Sequence, residues 1–154
     1  RPSRKSTRPF NAALSPEPSA MIGIDTNVLM RLLVRDHEGQ VKAAERFVNA
    51  HCSGDEPGHV SRIVIAEIAW VLKDIYGYDR AQITSAIRGI LNVSQLEIDS
   101  ADEVHRAVAD YEKSSAGFTD CLVARLNASA GCEYTVTFDR KAAKLGGFKL
   151  LPGT

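Results

Sequence analysis

The sequence predicts an α/β domain with a mainly parallel sheet. Short runs rich in Val, Ile and Thr alternate with longer runs of helical periodicity. Gly, Asn, Asp and Ser punctuate the boundaries. Two of the strand-like runs end in an acid, "MIGID" and "TVTFD". Open parallel sheets gather their sites beyond the carboxyl ends of their strands.

The elements follow in order. "MIGI", 21–24, reads as the first strand. "NVLMRLLV" is a short helix entered through Thr26 or Asn27, both good caps. "GQVKAAERFVNAHC" is an amphipathic helix, "SGDEPG" a loop and "HVS" a brief strand. "RIVIAEIAWVLKDIYG" is a long helix stopped at Gly77. "DRAQITSAIRGILNV" is a helix capped by Asp79, and "QLEID" a strand. In "ADEVHRAVADYEKS", Val104, Ala107, Val108 and Tyr111 form a helical face. "FTDCLVARLNASAG" reads as a helix capped by Thr119 and stopped by Gly131. "YTVTF", "DRKAAKLG" and "FKLL" are a strand, a short helix and the last strand.

At 154 residues, 44% hydrophobic and 25% charged, the chain is of a size and composition to bury one core. Residues 1–20, rich in Pro, Ser and Arg and without periodicity, read as a disordered tail or an appended extension, and 21–154 as the domain. No run is long and apolar enough for a transmembrane helix, so no membrane role is expected. Formal net charge is zero, with Arg1, Arg4, Lys5 and Arg8 against Glu17 at the amino end. The rest leans acidic, so any nucleic-acid function must come from a local site. Cys52, Cys121 and Cys132 lack zinc spacing and are odd in number. They fit a reducing, cytoplasmic setting better than a disulfide framework. The four His residues are scattered and form no ligand pair.

Four acids carry the chemistry: Asp25, Glu67, Asp120 and Asp139. Each has a plain reading. Asp25 can cap the helix after it, Asp120 sits where a helix dipole favours negative charge, and Asp139 can cap "RKAAKLG". Glu67 has Ile63, Trp70 and Val71 at i−4, i+3 and i+4, which places it on or beside a buried face with no cation in reach. A lone buried carboxylate is costly unless paired or bound to metal. Asp120 has Val123 and Ala124 on its own side. Two acids at strand ends and two on inward helix faces would repel one another without a divalent cation. Hard oxygen donors suit Mg²⁺ or Mn²⁺, which can orient a phosphodiester and activate a water.

"MIGIDTNVLM", Glu67 in "RIVIAEIAWVL", "FTDCLVARLNA" and "TVTFDRKAAKLG" together resemble the successive motifs of PIN-domain ribonucleases, and most of all VapC-type toxins of toxin–antitoxin pairs. The resemblance covers residues 21–152. It implies a PIN-like three-layer fold, with a mainly parallel five-stranded sheet flanked by helices. It implies that Asp25, Glu67, Asp120 and Asp139 bind one or two Mg²⁺ or Mn²⁺ ions and hydrolyse RNA, Asp139 standing at the family's most variable position. Thr26, Asn27 and Thr137 take supporting places. A cognate antitoxin that blocks the acidic pocket is implied as well.

The resulting expectation is a metal-dependent endoribonuclease, with Asp25, Asp120 and Asp139 on the principal ion and Glu67 on a second ion or on the attacking water. Arg31, Arg35, Arg140, Lys141 and Lys144 form either a basic rim for RNA or a solvated face. Trp70 is expected in the core rather than against a base. Phe47, Val48, Ile75 and Tyr76 are apolar helix positions in surplus, which predicts a homodimer and a partner protein. A haloacid-dehalogenase-like phosphatase would need an acid at position 27, which is Asn. A receiver domain would need an early acidic pair. A catalytically silent PIN-like module that binds protein or RNA is the alternative from another class.

Overall fold

A computed structural model describes residues 20–153; the expected extension over 1–19 lies outside the described residues. Six helices dominate: α1 (Thr26–Val34), α2 (Glu38–His51), α3 (Arg62–Asp74), α4 (Arg80–Leu91), α5 (Ala101–Lys113) and α6 (Phe118–Ser129). Four strands of three residues each lie between or after them: β1 (Gly58–Val60), β2 (Leu96–Ile98), β3 (Thr135–Thr137) and β4 (Phe148–Leu150). The expected helix over "DRKAAKLG" is a single 3-10 turn, Ala142–Lys144. Among the described residues no helix is long and apolar enough to cross a membrane.

The α/β alternation stands, and the strand pairs are parallel. The single five-stranded sheet does not: β1 pairs with β2 and β3 with β4, as two separate sheets. "MIGI" is not a full strand either. It joins β1 through one bridge, Gly23 to His59, with Ile24 N–H donating to His59 O at 2.8 Å and His59 N–H to Ile22 O at 2.7 Å. The physical reason is short ladders and little burial. β3 and β4 leave Val136, Phe138 and Leu150 in solvent, so little hydrophobic drive holds them to the first sheet. The first segment instead packs onto Gly58, where an added Cβ would come within 2.9 Å of Ile24 Cγ1 and 3.0 Å of Cys52 Sγ.

The core is built by helix faces. α5 buries Val104, Ala107, Val108 and Tyr111, the face its periodicity predicts. It packs along α6 and α4, while α3 meets α1, α4 and α6. Arg125 on α6 grips Asp110 on α5 with two hydrogen bonds of 2.6 and 2.7 Å. On α3 the buried stripe is Val64, Ile65, Ile68, Ala69 and Leu72. That corrects two expectations. Glu67 is exposed, and so are Ile63 and Trp70, the latter 56% accessible. α3 has more apolar residues than one face can bury, and the stripe one residue round the helix won.

Capping explains the helix boundaries. Asp79 Oδ1 accepts from Gln82 N–H at 2.8 Å while Gln82 Oε1 accepts from Asp79 N–H at 2.9 Å, a reciprocal capping box that starts α4. Gly77 and Gly131 take the left-handed conformations, φ 68° and 90°, expected where α3 and α6 stop. Thr119 is not the cap of α6. The helix begins earlier, at Phe118 with Gly117 as its cap, because Phe118 is drawn into the core and packs edge-on against Tyr111.

One side chain closes the turn between α5 and α6. Arg80 Nη1 donates to Tyr111 O at 2.6 Å and to Ala116 O at 2.9 Å, and the guanidinium lies 4.0 Å from the Tyr111 ring centre. It satisfies a carbonyl in the last turn of α5 and another in the loop before α6. Replacing Asp79 by Ala should lower the unfolding free energy by about 0.5–2 kcal/mol. Arg80→Met, which strands two carbonyls, should cost more, about 2–4 kcal/mol. Urea unfolding of both variants measures this, and an Arg80→Met loss no larger than that of Asp79→Ala would contradict the strut role.

Candidate active site

Asp25 is the residue before α1, and its backbone carbonyl accepts from the Val28 and Leu29 amides at 3.2 and 3.3 Å. Its side chain makes no capping hydrogen bond and is exposed. The plain capping reading of the Asp25 carboxylate is therefore not realised, and both of its oxygens are available. Thr26, next in the chain, is buried, and its hydroxyl donates to Glu67 Oε2 across the start of α1 and α3. That bond ties the first acidic motif to the second. Because Glu67 is exposed, a burial penalty cannot be what calls for a metal there. Asn27 is exposed at the first turn of α1.

Asp120 lies in the first turn of α6, half-buried; the buried face of that helix is Phe118, Cys121 and Leu122, with Val123 turned toward solvent. Burial, and after it the charge of Asp139, pushes the Asp120 carboxyl above its ordinary range; the Gly117 amide offsets part of this. Asp139, at the end of β3, does what its plain reading says. Its Oδ1 accepts from the amides of Lys141 at 2.7 Å and Ala142 at 3.2 Å. Thr137 Oγ1 in turn accepts from the Asp139 amide at 2.9 Å, which fixes the strand end. Capping engages one oxygen of Asp139 and leaves Oδ2 for another partner.

Asp120 and Asp139 line one cavity of about 370 Å³. Trp70 and Lys73 from α3, Arg80, and Lys141 line it too. Trp70 is thus a wall of the acidic cavity and not a core residue, a correction the periodicity of α3 could not supply. Arg80 carried no signal in the sequence; its role depends on carbonyls 31 and 36 residues away.

The four acids are brought together in part. Among the described residues no three His, Cys, Asp or Glu side chains converge closely enough to hold a metal ion. Mg²⁺ often uses only one or two carboxylates, keeping waters and substrate phosphates for its other positions. Two hard oxygen donors lining one cavity, with the Asp120 carboxyl pushed up by burial and then by the charge of Asp139, fit that requirement.

The basic candidates divide. Arg31 pairs with Asp36 at 2.7 Å, and Arg35, the left-handed C-cap of α1, with Glu45 at 2.6 Å. Arg140, Lys141 and Lys144 make no ion pair among the described residues, and all three are exposed. Of the apolar positions in surplus, Val48 belongs to the core and Tyr76 donates its hydroxyl to Asp36 at 2.7 Å. Phe47 and Ile75 remain exposed.

Comparison with known proteins bears on the same residues. A VapC ribonuclease of Aquifex aeolicus (strain VF5) is 28% identical over 123 residues, which span 80% of this chain and 90% of that protein. No solved structure matches the chain at a significant level. The PIN domain profile matches residues 22–147, a span that holds all four acids. The chain belongs to the PIN domain family.

Proposed function

We propose that the chain is a metal-dependent endoribonuclease, the toxin of a type II toxin–antitoxin pair, acting in the cytoplasm. The observation that carries the reading is the Asp120–Asp139 pair in one cavity, in a chain of the PIN family. The likeness to a VapC ribonuclease supports RNA as substrate and an antitoxin as partner. The exposed Phe47 and Ile75 support a homodimer or that partner.

Asp120 and Asp139 would hold Mg²⁺ or Mn²⁺, with Asp25 as a further ligand. When bound, the ion supplies positive charge to the phosphate oxygens and lowers the pKa of a coordinated water. Glu67, held at Oε2 by the Thr26 hydroxyl, orients the attacking water through its other oxygen. Thr137 keeps the Asp139 backbone at the strand end. Asn27, exposed beside Thr26, takes a supporting place. Arg140, Lys141 and Lys144 contribute phosphate contacts. Arg31 and Arg35 contribute only if their carboxylate partners are displaced.

One observation favours a second reading, a catalytically silent module that binds RNA or protein: among the described residues no three acids converge. Cleavage of single-stranded and structured RNA in Mn²⁺ separates the two. Wild type should cleave and stop in EDTA, and Asp120→Asn should lose at least about a hundredfold in rate. Equal cleavage by the variant, or cleavage in EDTA, overturns the metal-dependent reading.

The same pair predicts a pH effect. The folded state raises the Asp120 pKa, so it favours the protonated carboxyl. The stability this lends is fully present below the ordinary carboxylate range and lost as pH rises through the raised value. In EDTA, Asp120→Asn should escape that loss and, near neutral pH, melt no lower than wild type. Mn²⁺ should raise the wild-type melting temperature and do much less for the variant. Melting curves at several pH values check this; a variant that melts lower at neutral pH, beside a metal-indifferent wild type, contradicts it.

A further inference from the structure

The cavity beside the acids carries features that metal binding alone does not explain. Trp70, the sole tryptophan of the chain, stands 56% accessible on its wall, one helical turn beyond Glu67. A single exposed apolar side chain is ordinary on a protein surface. This one shares a polar cavity with Lys73, Arg80 and Lys141, none of which is in an ion pair among the described residues. At about 370 Å³ the cavity is large enough for a small-molecule-sized group. An aromatic face next to unpaired cations is the chemistry that holds a single nucleic-acid strand, the base on the ring and the phosphates on the ammonium groups.

We infer that Trp70, with Lys73 and Lys141, forms a nucleotide subsite for single-stranded RNA, stacking one base next to the phosphate presented to Asp120 and Asp139. The inference rests on the ribonuclease reading and adds which residues seat one base and its neighbouring phosphates. Stacking tolerates any base, so this subsite selects an unpaired strand and not a sequence. Lys73 and Lys141 neutralise phosphates, while Arg80, already committed to two carbonyls and the Tyr111 ring, keeps the wall in place.

The lone tryptophan makes the test direct. Wild type in EDTA, where cleavage is not expected, is titrated with a single-stranded RNA oligonucleotide while Trp emission is followed. Inorganic polyphosphate of matched charge and the same RNA in duplex form serve as controls. The expected result is saturable quenching by the single strand and little by either control. Trp70→Ala should weaken single-strand binding between about fivefold and about a hundredfold, read by anisotropy of labelled RNA, and Trp70→Phe should retain most of it. Lys73→Ala and Lys141→Ala should each reduce the slope of log affinity against log salt by about 0.7, and Trp70→Ala should leave that slope unchanged. Unchanged wild-type emission on adding RNA, together with unchanged affinity in Trp70→Ala, overturns the inference. So does emission that shifts with protein concentration and not with RNA, which would place a second copy of the chain on Trp70. Quenching without cleavage in Mn²⁺ would support the subsite and sink the nuclease reading; cleavage indifferent to Trp70→Ala, without quenching, would sink only the subsite.

Discussion

Asp120 faces Asp139 from a turn that one guanidinium holds closed. Arg80 reaches back from the start of α4 to carbonyls on both sides of the α5–α6 junction and stacks on Tyr111. With Nη1 held by both carbonyls, it braces the cavity and makes no ion pair with the acids among the described residues. Asp120 therefore keeps its repulsion with Asp139, and partial burial, with that repulsion added, raises its proton affinity. A site that stays uncompensated in the folded protein has a reason to bind a cation. The same geometry leaves Lys73 and Lys141 on the walls without an ion pair among the described residues, available to phosphates.

Helices do most of the positioning. α3, α5 and α6 are locked by a continuous apolar core and by the Arg125–Asp110 fork, and they carry Glu67, Trp70 and Asp120. The strands contribute ends more than area. The first apolar segment ends at Asp25 and β3 ends next to Asp139, as strand ends do in open α/β sites. The two sheets remain separate, so the Asp25–Thr26–Glu67 group and the Asp120–Asp139 pair are each organised locally.

Features set by neighbours along the chain were legible in the sequence. Asp79 marked the start of α4, Gly77 and Gly131 the ends of α3 and α6, and the spacing from Val104 to Tyr111 the buried face of α5. The four acids were singled out because a family pattern spans them all. Features set by competition were not. On α3 two overlapping apolar stripes fit the same residues, and only packing against α1, α4 and α6 decides that Glu67 and Trp70 face out. Thr119 and Gly117 are about equal as capping residues by preference, and burying Phe118 decides for Gly117. The pairing of β3 with β4 alone depends on how much apolar surface each strand buries, which alternation does not reveal. Arg80 depended on contacts distant in sequence and gave no signal at all.

The central claim is that Asp120 and Asp139 together hold a divalent cation. Anomalous scattering from crystals soaked in Mn²⁺ tests it most directly. The account predicts one strong peak within about 2.0–2.3 Å of a carboxylate oxygen from each of Asp120 and Asp139, close to the distances hard oxygen ligands adopt. A Mn²⁺ peak that touches neither residue, or none at a concentration that supports RNA cleavage, would contradict it.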